Sequence, residues 1–205
     1  MDGHPVRLRI DDDLRRSRLL VFFRPLLSLP HLAWLWAWSW AAAAAAVVGW
    51  VAVVVTGSQP HPLHRFLCAY VRYASQLAAF AALVANPFPG FTGAPGYPVE
   101  VTTPERLTQR RWSAAFRALL AVPALLLAHA LLGVLTVIAV LAWFATLATG
   151  RMPSGLRDLG ATVVRYLAQT AAYALLVTDR YPHASPALPR HPVPRPLFDP
   201  WETAR

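Results

Sequence analysis

Arg72 and Arg165 stand in stretches otherwise rich in Ala, Leu and Val, 93 residues apart. Each is followed by a tyrosine, Tyr73 or Tyr166, and then by a glutamine, Gln76 or Gln169, four positions after the arginine. Positions i and i+4 share a helix face, so guanidinium and amide would line one polar edge. A fixed cation beside amide donors suits an anion or a lipid headgroup, or a polar contact between the two segments. The other reading is a helix at a membrane interface whose arginine snorkels into the headgroups. A second pair at the same offset, Arg24 and Arg117, precedes the longest apolar runs. Snorkelling at the membrane boundary is the expected role there, with lipid contact as the functional version of it.

Other candidates carry less. His61 and His64 are three apart and could touch one metal, yet no carboxylate or cysteine stands near them, so a turn-exposed pair is expected. His31 has Ala124 as its counterpart, which excludes a symmetric ligand pair. His129 lies inside an apolar run, where a buried, hydrogen-bonded histidine is expected. Asp11 to Asp13 read as solvated residues at a helix N-terminus, where the dipole favours carboxylates. The single cysteine, Cys68, excludes an intramolecular disulfide and a Cys-based metal site. Neither a nucleophile elbow, nor a phosphate-binding glycine loop, nor a zinc-protease pair occurs. The expectation is a protein that is not an enzyme and binds no metal or cofactor.

The elements that hold these residues occur twice. Trp50 to Pro60 (WVAVVVTGSQP) matches Trp143 to Pro153 (WFATLATGRMP), and the same offset aligns Phe23-Arg24 with Phe116-Arg117, Pro30 with Pro123, and Pro89 with Pro182. From Pro5 to Gly90 no gap is needed, and roughly a third of the aligned positions are identical. Residues 1–91 form a first repeat, 92–97 a Gly/Pro linker, 98–183 a second repeat, and 184–205 a tail with six prolines between 186 and 200 that is expected to be disordered and extended.

Composition places both repeats in a membrane. The 205 residues are 56% hydrophobic and only 14% charged, with a mean hydropathy of +0.40; soluble domains carry about 25% charged residues. The net charge of +9 comes entirely from arginine on the basic side. Those arginines flank apolar runs instead of forming one basic face, which points to anionic lipid headgroups and away from nucleic acid. Arginine without lysine, together with abundant Ala and Pro, suits a high-GC bacterial genome.

Each repeat is expected to contain an interfacial segment, a long transmembrane helix and a second amphipathic or transmembrane helix, giving an all-α membrane protein. Arg15-Arg16 before an apolar run resembles a secretion signal, but Arg24-Pro25 interrupts it and the pattern recurs internally at 110–149. Pro25 to Val55 would measure roughly 46 Å as one helix, against a hydrocarbon core of roughly 30 Å. Because proline breaks helices, the segment 14–29 is expected to be interfacial and 30–55 to span, with 110–122 and 123–148 as counterparts. A rival reading folds each run into a hairpin, turning near Trp34 to Trp40 and near His129 to Gly133. Alternating Val6, Leu8 and Ile10, and Val99-Glu-Val-Thr, suggest short β-strands near 5–10 and 98–103 that pair with each other. Four spans and the arginine distribution place both termini in the cytoplasm, in a multi-pass inner-membrane protein.

The pattern YPVxV…PERLxxR…FRxLLxxP, then WFAxLxTGRxP, then RYxxQxxAYxLLxTDxYP resembles the bacterial domain-of-unknown-function family 4389. The second repeat carries it best, at Tyr97-Pro98-Val99, Pro104 to Leu107, Phe116-Arg117, Trp143 to Pro153 and Arg165 to Pro182. The first matches at Phe23-Arg24, Pro30-His31-Leu32, Trp50, Gly57, Pro60 and Arg72-Tyr73, and departs at Asn86-Pro87-Phe88-Pro89. The resemblance implies an integral membrane protein of unassigned activity and brings no catalytic residues. The expected role is a scaffold or accessory subunit of a membrane complex. Its expected partners are anionic lipids, a membrane protein or a second copy, and a cytoplasmic partner for the Pro-rich tail. The alternative is lipid or anion handling by the paired arginines.

Overall fold

The structure, a computed structural model, describes residues 7–10, 14–94, 96–97, 99–102, 109 and 111–182. The Pro-rich tail, Asp11 to Asp13 and the Pro104 to Leu107 motif lie outside the described residues. The chain order is β1 (Arg7–Ile10), α1 (Arg18–Thr56), α2 (His61–Ala81), β2 (Val99–Thr102), α3 (Arg111–Ala115), α4 (Arg117–Thr149) and α5 (Ser154–Ala174).

The first long apolar run forms one helix. α1 continues for 39 residues through Pro25 and Pro30, so neither the expected break between an interfacial segment and a span nor the hairpin at Trp34 to Trp40 exists. Pro25 cannot donate to the carbonyl of Val21, four residues back. The indole N–H of Trp143 takes that acceptor instead, at 2.9 Å. In the second repeat the chain does break, but at Phe116 between α3 and α4, and α4 runs unbroken through Pro123.

The duplicated Thr-Gly ends both long helices in the same way. Gly57 (φ 79°) and Gly150 (φ 73°) adopt the left-handed conformation and donate to Val53 and Thr146 carbonyls at 2.8 Å. Thr56 Oγ1 donates back to Ala52, and Thr149 Oγ1 to Ala145. Pro60 and Pro153 then occupy the N-caps of α2 and α5. These 21-residue helices are about 31 Å long, and each doubles back along its own long helix.

The helices form a two-by-two arrangement in which α1 packs on α2, α4 on α5, α2 on α5 and α1 on α4. Ala42, Leu67, Val71, Ala79, Leu135, Ile138, Val164 and Ala172 lie in the shared core. The ribbon of β1 and β2 sits on the α2–α5 layer.

The repeats are inverted. Trp143 near the end of α4 meets Val21 near the start of α1, and Trp50 near the end of α1 donates to the Ala114 carbonyl of α3 at 2.9 Å. Likewise Arg16 N–H donates to Gly150 O and Gln109 N–H to Gly57 O. Every one of these pairs maps onto its partner by the offset of 93. β1 and β2 pair antiparallel with Leu8 opposite Val101. Exchanging the repeats leaves that pair in place and turns Arg7–Thr102 into Arg9–Glu100, so the pseudo-two-fold axis passes through it. α1 and α4 therefore run in opposite directions. The expected scheme had both long helices leave the same side, and the exchanged contacts between starts and ends overturn it.

Candidate functional site

The long helices are built inside out. The buried stripe of α1 holds Val21, Arg24, Ser28, His31, Ala42, Gly49 and Val53, and that of α4 holds Arg117, Ala121, Ala124, Ala128, Leu135, Ile138, Ala142 and Thr146. Small and polar residues make up most of both stripes while most of the Leu, Val, Phe and Trp face outward, the reverse of a water-soluble helix. Small inward residues let backbones approach closely, as helices in lipid do. Of the large hydrophobics exposed among the described residues, 15 lie on α1 and 14 between 111 and 149, leaving four elsewhere. Both long helices are long and apolar enough to cross a membrane. His129 also faces outward, because it falls beside the buried stripe; the expectation of a buried histidine does not hold.

Arg24 and Arg117 turn inward, away from the boundary role expected for them. Arg24 is 1% exposed and Arg117 2%. Arg24 Nη1 donates to the carbonyls of Phe80 and Ala85 at 3.0 Å, and Nη2 to Asn86 O and Oδ1. Its guanidinium lies 4.4 Å above the Phe80 ring. Arg117 repeats this with the carbonyls of Tyr173 and Thr178, above the Tyr173 ring. The last carbonyls of a helix have no internal partner and sit at its negative dipole end. Each arginine thus caps the C-terminus of the second helix in its own repeat. Leu83 and Leu176, at φ 59° and 60°, turn those carbonyls toward it.

Arg72 and Gln76 hold the chain between the repeats. Arg72 Nη1 donates to Gly93 O at 3.2 Å and Gln76 Nε2 to Ala94 O at 3.0 Å. Gly93 fits there because its φ is +64° and a Cβ would fall 2.4 Å from the Ala69 carbonyl. In the second repeat Arg165 is half-buried, and Tyr166 and Gln169 are buried.

Tyr73 is fully buried, with its hydroxyl 2.8 Å from His31 Nδ1. Burial pushes its phenol up to about 12, so it stays a hydrogen-bond donor at neutral pH. His31 stacks on Phe91 at 4.2 Å, and Phe88 packs edge-on against it. Beside this cluster opens an apolar cleft of about 490 Å³ lined by Trp34, Trp38, Phe66, Phe91 and Thr92. Its counterparts in α4 and α5 are Leu127, Leu131 and Leu159, so the aromatic lining is confined to one repeat. Sequence reasoning used Trp34 to Trp40 only as the turn of the rival hairpin and missed the cleft. The signal available was their loss from the second copy.

No curated protein and no solved structure matches the chain. One family model matches it twice, over residues 18–92 and 111–185, which are the two inverted units. By those matches the chain belongs to the family described as a domain of unknown function (DUF4389), of which it carries two copies.

Proposed function

We propose that the protein is a membrane-embedded, non-enzymatic scaffold or accessory subunit of the bacterial plasma membrane. The observation that carries this reading is the apolar layer of α1 and α4, with 29 large hydrophobics exposed on residues 18–56 and 111–149. Transfer of one such side chain out of water is worth about 1.5–3 kcal/mol, so the layer favours lipid by tens of kcal/mol. That is far beyond the hold of a single acyl anchor. The absence of a catalytic motif from the sequence supports a structural role. Anionic headgroups would meet the arginines at the helix ends, and the Pro-rich tail would engage a cytoplasmic partner. The test is alkaline carbonate extraction of native membranes, with the protein expected in the pellet. Recovery in the supernatant would defeat the reading.

A second reading is lipid handling. Thr92 lines the aromatic cleft, and the next residue, Gly93, takes the Arg72 hydrogen bond. An apolar cleft beside a guanidinium suits an amphiphile with an anionic head. Purification in mild detergent followed by lipid mass spectrometry should recover anionic lipid from the native chain and less from Trp38→Ala. Equal recovery would set this reading aside.

A further inference from the structure

We infer that α1 and α4 lie in the plane of the membrane, seated among the acyl chains of one leaflet, with the α2–α5 layer and its ribbon facing the water on a single side. The inference rests on the membrane reading above and fixes how the protein sits. Three independent observations carry it.

The first is length. Exposed apolar side chains run from Leu19 to Val55 along α1, which is unbroken. At 1.5 Å per residue that stretch measures roughly 54 Å. Fitting it across roughly 30 Å of hydrocarbon needs a tilt of more than about 50°, outside the range of roughly 0–40° found for spanning helices. Laid flat, the whole length is accommodated. A layer one helix thick, roughly 10 Å, suits one leaflet.

The second is the inversion. If α1 and α4 stood upright, their starts would lie on opposite sides of the bilayer. The chain from α2 to α3 would then have to cross, and its described residues (82–94, 96–97, 99–102 and 109) hold no helix. Its path is visible on the surface of α1 and α2: Phe91 O accepts from Trp34, Gly93 O from Arg72, Ala94 O from Gln76, and Gln109 reaches Gly57 at the far end of α1. Pro87, Pro89, Thr92 and Glu100 lie along it. Irregular backbone facing lipid leaves N–H and C=O groups unpaired, which the hydrocarbon region does not tolerate.

The third is charge. Arg65, Arg72, Arg157, Asp158 and Arg165 are carried by α2 and α5, whereas α1 beyond Arg24 and α4 beyond Arg117 hold no charged residue. Upright, Arg72 and Arg165 would stand near mid-depth. In plane, every one of these groups belongs to the layer on the water side.

The test uses the full chain in native membranes, with Cys68→Ala as background because Ala161 fills the equivalent position. Single cysteines are placed at Ser17→Cys and Thr149→Cys at one end of the layer, and at Thr56→Cys and Arg111→Cys at the other. Right-side-out and inverted vesicles are treated with a membrane-impermeant maleimide. All four sites should react from the same side. Reaction of the first pair from one side and the second pair from the other would overturn the in-plane seating. Carbonate extraction of the same vesicles separates the two failures. Release into the supernatant defeats the membrane reading itself, while retention with opposite-sided labelling defeats only the orientation.

Discussion

Trp143 donates its indole N–H to the carbonyl of Val21, 122 residues away and in the other repeat, at 2.9 Å. Pro25 has removed the backbone donor that this carbonyl would otherwise use. Trp50 makes the equivalent bond to the carbonyl of Ala114, in the last turn of α3 before the chain breaks at Phe116. Each tryptophan thus serves a carbonyl at an interruption of a helix, at Pro25 in α1 and at the break before α4 in the second repeat.

Trp143→Phe and Trp50→Phe should therefore both destabilise the protein, since a carbonyl left unpaired away from water costs about 1–3 kcal/mol. Thermal unfolding in detergent measures both. Pro25→Ala, which restores a backbone N–H four residues after Val21, should recover part of the Trp143→Phe loss and none of the Trp50→Phe loss. A Trp143→Phe loss that Pro25→Ala leaves unchanged would contradict this pairing.

Arg24→Lys should be costly despite keeping the charge. The guanidinium fork reaches Phe80, Ala85 and Asn86 together while stacking on a ring, and an ammonium cannot reproduce that planar geometry. Leaving several helix-terminal carbonyls unserved is expected to cost about 3–5 kcal/mol. Arg117→Lys, with carbonyls of Tyr173 and Thr178 at stake, should behave alike but more mildly. A melting temperature unchanged by Arg24→Lys would remove the capping role.

Much of this architecture is legible in the residues themselves. The offset of 93 gives two units, Thr-Gly followed by Pro marks where each long helix ends, and the Arg-Tyr-Gln spacing marks one face of α2. What one chain's periodicity leaves open is the sense of the repeats. Parallel and inverted copies have the same hydrophobic pattern, and the deciding contacts join residues of different repeats far apart in the chain, 122 positions for Trp143 with Val21. For the same reason Pro25 and Pro30 read as breaks, since the donor that rescues Val21 comes from α4. Arg24 and Arg117 read as boundary residues because they precede apolar runs, while the carbonyls they serve belong to a helix end some sixty positions later.

The linker should come loose if Gly93 gains a side chain. Gly93→Ala places a Cβ against the Ala69 carbonyl in a backbone conformation that costs an L-residue about 1–2 kcal/mol. Gly90, with open space around it, is the control. Limited proteolysis of the intact protein should cut Gly93→Ala faster between 87 and 98 and leave Gly90→Ala as resistant as the parent. Equal rates for the two would mean that the Arg72–Gly93 bond does not hold this segment down.

The in-plane seating also predicts a flat depth profile along α1. Leu20, Ala43 and Val55 are all exposed on that helix, and about 18 Å of helical rise separates Ala43 from Val55. Spin labels at Leu20→Cys, Ala43→Cys and Val55→Cys, in the Cys68→Ala background, report depth through their relative accessibility to oxygen and to a water-soluble nickel complex. A helix standing across the bilayer would put Ala43 deepest and both ends near the headgroups. A helix lying among the acyl chains of one leaflet gives three labels at closely similar depth. With Arg24 and Arg117 both consumed inside the protein, no charge on either long helix pulls its middle toward the surface, so the profile should stay flat in neutral and anionic vesicles alike.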